Sequence, residues 1–148
     1  MDNVLISGLK RENFQAVIQG KETDLYTLTN SNGMEVSITN YGGAIMAIMV
    51  PDKEGKMANV IQGHDSIQNM INSPEPFLST LVGRYGNRIA KGHFVMNGKD
   101  YSLAINNGPN HLHGGPMFFR NFLAFLLLTY TANRSAPPTK APNRKSAG

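Results

Sequence analysis

Asn97-Gly98 stands between Phe94-Val-Met and Lys99-Asp-Tyr-Ser-Leu103, and it is the tightest local constraint in this 148-residue chain. A two-residue type I′ turn needs positive φ at both central positions, which Asn and Gly accept more readily than other residues. The segment is therefore predicted to be an antiparallel hairpin. Upstream, Asp24-Leu-Tyr-Thr-Leu-Thr and Met34-Glu-Val-Ser-Ile-Thr alternate apolar and polar side chains around Asn30-Ser-Asn-Gly. Gly33 can take positive φ in that turn, so the pair reads as a second hairpin with one face buried. Ala44 to Val50 is continuously apolar, follows Gly42-Gly43 and ends at Pro51, which favours a central strand. Ala58–Gln62 is a further candidate strand, and Asp65 to Asn72 a short helix before the Pro74-Glu-Pro76 break. From about residue 14 to 105 the expectation is a run of short strands, an all-β fold.

The chain is long enough for one domain with its own core. It has no cysteine, which removes disulfides, thiol nucleophiles and Cys-based zinc sites. The formal charge of +4 is unevenly placed. Residues 1–117 carry 9 Lys and Arg against 10 Asp and Glu, whereas residues 118–148 hold Arg120, Arg134, Lys140, Arg144 and Lys145 and no acid. The basicity thus gives the main domain no nucleic-acid character. Phe118 to Tyr130 is the most apolar run, but it is shorter than the roughly 20 residues a membrane-spanning helix needs. Neither nucleic acid nor membrane is expected as a partner. A weaker alternative is an interaction of the basic tail with such a polyanionic surface. The N-terminus lacks a signal-peptide core, so a cytoplasmic location is expected. Residues 1–117 read as the domain. Residues 118–148, apolar and then basic and Pro-rich, read as a divergent tail, disordered or shifted in frame.

Two clusters could carry chemistry. Gly83-Arg-Tyr-Gly-Asn-Arg-Ile89 sets two arginines and a carboxamide among small residues. Arg and Asn donors suit hydroxyls or carboxylates, although a loop whose arginines pair with surface acids would look the same. In Asn110-His-Leu-His-Gly-Gly115 an extended backbone would send His111 and His113 to one face and Leu112 to the other. Imidazole suits proton transfer near neutral pH. A His-x-His metal pair and two loop histidines without a role stay open beside it. His64-Asp65 reads as a loop pair, and neither a phosphate-binding loop nor a Gly-x-Ser-x-Gly nucleophile motif is present.

Together, Gly83-Arg-Tyr-Gly-Asn-Arg-Ile-Ala-Lys-Gly-His-Phe, the Asn97-Gly98 hairpin and Asn106-Asn-Gly-Pro-Asn-His-Leu-His-Gly-Gly closely resemble aldose 1-epimerases. Asn40-Tyr-Gly-Gly-Ala44 and Val50-Pro-Asp52 also look like that family's early strands, and the resemblance covers roughly residues 14–117. It implies a partial antiparallel β-sandwich, incomplete at the C-terminus. The implied activity is interconversion of the α and β anomers of aldohexoses such as galactose and glucose, with neither cofactor nor metal. A carboxylate base takes the anomeric hydroxyl proton while a histidine protonates the ring oxygen. By resemblance His113 is the histidine near the ring oxygen, Asn87 and Arg88 bind sugar hydroxyls, and His111 has no catalytic role. Gly86 replaces the family's usual Ala. The family's second histidine, a sugar-binding aspartate and the glutamate base lie beyond the point where this chain departs from the pattern, and no acid follows Asp100. The 148 residues alone are therefore expected to be inactive or nearly so. A non-catalytic sugar-binding module is the alternative.

Overall fold

The computed structural model describes residues 5–116. The tail expected at 118–148 lies outside the described residues. Among the described residues there are ten short strands, one short α-helix, α1, and two 3-10 turns at Arg11–Phe14 and Ala90–Gly92: β1 (Ala16–Ile18), β2 (Lys21–Thr23), β3 (Leu25–Thr29), β4 (Glu35–Thr39), β5 (Ile45–Pro51), β6 (Met57–Asn59), α1 (Ile67–Asn72), β7 (Arg88–Ile89), β8 (His93–Met96), β9 (Lys99–Ser102) and β10 (His111–Leu112). Every pairing is antiparallel. Strands β3-β4-β5-β6 form one four-stranded sheet, and β1-β2, β8-β9 and β7-β10 are separate pairs. The all-β expectation holds.

Local turn chemistry explains most of this. Asn97 and Gly98 have φ of 53° and 73° and join β8 to β9, as their sequence demands. Gln19 and Gly20 do the same between β1 and β2, with φ of 52° and 76°. The run beginning at Ala44 is β5, one of the sheet's two inner strands, with a register shift opposite Ser37/Ile38. The strand expected at Ala58–Gln62 lies earlier, at Met57–Asn59: the Asn59 carboxamide accepts from the Ile48 and Ile61 amides and turns the chain off the ladder. Helix α1 starts where the Ser66 hydroxyl accepts from Asn69 N at 3.2 Å. Ile67, Met70 and Ile71 recur at helical spacing and pack with Phe14, Leu25, Tyr41, Ala44 and Met46 into one core.

The hairpin β3-β4 buries the opposite side from the one its composition favours. Glu35, Ser37 and Thr39 are buried, while Val36 and Ile38 between them are only half-buried. Each buried polar group has partners. The Glu35 carboxylate accepts from Ile6 N at 2.9 Å and Ser7 N at 3.1 Å, which ties the N-terminal segment to the sheet. Ser37 meets the Thr27 hydroxyl, and Thr39 accepts from Tyr41 N. Satisfied in this way, the polar face tolerates cover. Among the described residues, no helix is long and apolar enough to cross a membrane.

Candidate functional site

The two motif clusters meet at the smallest sheet. Strand β7 runs against β10 with His111 opposite Ile89 and Leu112 opposite Arg88. Just beyond this ladder, Asn87 and His113 hold each other twice: His113 N donates to Asn87 O at 3.0 Å, and Asn87 N donates to His113 Nδ1 at 2.9 Å. Both residues have left-handed backbones, φ of 65° and 54°. That conformation is uncommon for non-glycine residues, although Asn and His adopt it more often than most. Positive φ at His113 ends the strand alternation, so the two histidines do not share a face as an extended chain would require. His111 is buried instead, with its Nδ1 2.7 Å from Ala104 O.

These contacts assign different hydrogens to the two rings. A backbone carbonyl only accepts, so His111 carries its hydrogen on Nδ1. A backbone N–H only donates, so His113 accepts at Nδ1 and, as a neutral ring, carries its hydrogen on Nε2. The Phe77 ring stands edge-on to His113 at 4.6 Å between centroids and fixes the plane of the imidazole. His113 is thereby presented as an oriented donor.

Arg88 joins the same group. Its Nε donates to Asn107 Oδ1 at 2.8 Å and one terminal nitrogen to Asn87 Oδ1 at 3.2 Å, so carboxamides rather than surface acids orient it. The guanidinium keeps further donors for a ligand. Asn106 closes the loop behind them: its carboxamide accepts from Leu112 N at 2.7 Å and donates to Leu112 O at 2.9 Å, imitating a missing strand. Asn106, Asn107 and Phe77 were given no role by the sequence. Carboxamides in an Asn-Asn-Gly-Pro loop carry no spacing signal, and Phe77 is remote in the chain.

Close backbone approach sets the position of the whole group. A Cβ at Gly114 would stand 1.9 Å from Gly83 O, and one at Gly115 would stand 2.8 Å from the His111 ring. Glycine is required at 114 so that the 83–88 loop and the 111–115 turn can touch, and at 115 so that the turn can close over the His111 ring. Asn87 and Arg88 are exposed and His113 is half-buried, so the site is an open surface of donors. A cleft of about 440 Å³ lined by Gln15, Val17, Glu22, Asp24, Tyr26 and Asn40, among others, is made by none of the three. There, Arg11 donates to Asp24 from Nε at 2.8 Å and also through Nη2. That hydrogen bonding holds the Asp24 carboxyl below its usual range. Asp65 is likewise lowered by the Asn69 carboxamide and sits beside the helix cap, not in a proton-transfer pair with His64. Among the described residues no group of three or more His, Asp and Glu is placed to hold a metal ion.

Residues 24–123 match the family model described as aldose 1-epimerase. The chain belongs to the aldose 1-epimerase family. It is 43% identical over 93 residues to galactose mutarotase of Bos taurus, a match covering 63% of this chain and 27% of that protein. Against the aldose 1-epimerase of Escherichia coli it is 32% identical over 100 residues, 68% of this chain and 29% of that one. A crystal structure of an aldose epimerase homologue from C. elegans superposes with a TM-score of 0.62 at 29% identity, covering 68% of this chain and 31% of that one. A galactose 1-epimerase from Lactobacillus acidophilus gives 0.60 at 27% identity, covering 72% of this chain and 30% of that one. The chain thus spans less than a third of the length of these relatives, and the partial antiparallel sandwich is the portion of their fold that it holds.

Proposed function

We propose that this segment forms the sugar-hydroxyl and ring-oxygen side of an aldose 1-epimerase site, acting on an aldohexose such as galactose. The observation that carries the reading is the double contact between Asn87 and His113, which gathers Asn87, Arg88 and His113 from two distant stretches of chain. In the proposed reaction a base removes the anomeric hydroxyl proton and C1–O1 becomes a carbonyl. The C1–O5 bond breaks and O5 takes up a proton. Rotation about C1–C2 and reclosure give the other anomer. Negative charge grows on O5 during opening, and the oriented Nε2–H of His113 stabilises it there by hydrogen bonding. Arg88 and Asn87 hold neighbouring hydroxyls and keep the ring from turning during the proton transfers.

The base is not supplied by this cluster. The partners of Arg88 are carboxamides, and no Asp or Glu follows Asp100. The 148-residue chain is therefore expected to bind sugar without turning it over. Polarimetry of freshly dissolved α-galactose, together with an NMR titration of the Asn87 and His113 amides, tests both halves. Saturable shifts at those amides with no acceleration of mutarotation are expected. No shift up to high millimolar sugar refutes the binding role, and enzyme-like turnover abolished by His113→Ala refutes the missing base.

A further inference from the structure

The ring of His111 is 6% exposed and takes no part in the proposed reaction. A polar ring is tolerated at such depth only where its N–H finds an acceptor. The acceptor here is Ala104 O, 2.7 Å from Nδ1. Ala104 opens a short segment, 104–107, that runs beside β10. Its far end is held by several bonds. The Asn106 carboxamide pairs with Leu112 N and O, and the amides of Asn106 and Asn107 both donate to Asn110 O at 3.1 Å. Its near end is held by His111. From this segment Asn107 presents the Oδ1 that accepts from Arg88 Nε at 2.8 Å. Strand β7 sets the backbone of Arg88 opposite Leu112, so the ladder places that residue and Asn107 gives its side chain a direction.

We infer that His111 is a positioning residue for the sugar site: its Nδ1–H pins Ala104, and the segment held at both ends carries the carboxamide that aims Arg88. The inference rests on the reading of Arg88 as a donor to sugar hydroxyls. Without the His111 bond, residues 104–107 are anchored at Asn106 and Asn107 alone and can pivot about them. A small rotation there swings Asn107 Oδ1 off the Nε–H axis, and a hydrogen bond weakens steeply as it bends. Buried as it is, His111 acts on the sugar only through Asn107 and Arg88.

Two substitutions in the isotope-labelled 148-residue chain separate positioning from mere packing. His111→Leu keeps an apolar side chain of comparable bulk and removes the donor, whereas His111→Asn keeps an N–H donor close to the place of Nδ1. In His111→Leu, hydrogen exchange at Arg88 Nε–H should accelerate about threefold and galactose should bind about threefold more weakly in the NMR titration, as for the loss of one net hydrogen bond. His111→Asn should return both readouts towards wild type. A wild-type exchange rate at Arg88 Nε–H in His111→Leu overturns the inference, and so does the absence of rescue in His111→Asn. The wild-type chain gives a check that needs no variant to fold. Its ring nitrogen shifts must place the His111 hydrogen on Nδ1, and an Nε2–H ring overturns the inference. Failure of the wild type to bind galactose refutes the sugar reading instead, and exchange at Arg88 Nε–H still decides the role of His111.

Discussion

Replacing Gly114 by alanine isolates the contact on which the site's geometry rests. A Cβ at 114 would lie 1.9 Å from Gly83 O, 2.6 Å from its carbonyl carbon and 3.0 Å from Arg84 N, all of them backbone atoms. No rotamer change relieves that overlap, so the two backbones must part by about 1.5 Å to reach ordinary contact, at a cost of about 1–3 kcal/mol as overpacking. Gly114 also has φ of +92°. Holding alanine at positive φ adds about 1–2 kcal/mol. The sum is about 2–5 kcal/mol, a large share of what a domain this size possesses. With a urea m-value of about 1–3 kcal/mol/M, the unfolding midpoint should fall by about 1–2 M or the fold should be lost.

The matched control is Gly86→Ala. Nothing lies within 4 Å of a Cβ there, and the backbone is outside the left-handed region. This change should be neutral or stabilise by about 0.4–1 kcal/mol through the unfolded state. Urea unfolding compares the two, and hydrogen exchange at the Asn87 and His113 amides reports the clamp itself. Exchange there should accelerate in Gly114→Ala and not in Gly86→Ala. If Gly114→Ala is as stable as Gly86→Ala and its clamp amides stay protected, the close approach of loop and turn is not what positions the site.

Asn107→Ala removes the acceptor at Arg88 Nε and should weaken galactose binding about fivefold, corresponding to about 1 kcal/mol for one partly exposed charge-assisted bond. Asn107→Asp keeps an acceptor and should restore affinity in the same NMR titration; equal weakening by both variants would rule out the positioning role. Glu35→Ala leaves the Ile6 and Ser7 amides without their acceptor and should cost about 1–3 kcal/mol. Hydrogen exchange at Ile6 and Ser7 should accelerate selectively, and uniform acceleration across the sheet would contradict the tether. Asp24 is held below its usual range chiefly by its hydrogen bond with Arg11. Its contribution is therefore full above the unfolded carboxyl value of about 3.9 and is lost as pH falls through the lower folded value. Arg11 is 63% exposed, so the effect should be small and should shrink in salt. Urea midpoints for wild type and Asp24→Asn should converge in acid, and parallel pH profiles would show that the pair contributes nothing.

What the sequence revealed depended on how local the physics was. Asn97-Gly98 dictates its own turn, so the β8-β9 hairpin needs no tertiary help to be foreseen. The Gln19-Gly20 turn has the same geometry but carries Gln at a positive φ that its side chain does little to favour, and the β1-β2 hairpin therefore had no comparable signal. Strands β7 and β10 are two residues each. They are held by the Asn106 and His113 side chains and the Asn87 backbone as much as by their ladder, so no periodicity exists to detect. The family motifs brought Asn87, Arg88 and His113 forward. The left-handed backbone at His113 was hidden, and with it the separation of His113 from His111.

Alternation along β3 and β4 raised a different problem, because it defines two faces without saying which is covered. Apolar content alone favours burying Val36 and Ile38, yet Glu35, Ser37 and Thr39 are the buried set. The choice is made elsewhere in the chain. Ile6 and Ser7 present amides to Glu35, and Phe14, Ile67 and Met70 build the core that meets Leu25 on that side. The polar face is thus enclosed by what precedes and follows it within residues 5–116, and each polar atom there receives a partner on closing. The apolar face needs cover without directional demands. Sheet polarity and sheet cover are separate quantities: hydrogen-bond partners enclosed one face here, and hydrophobic area is left to recruit the other.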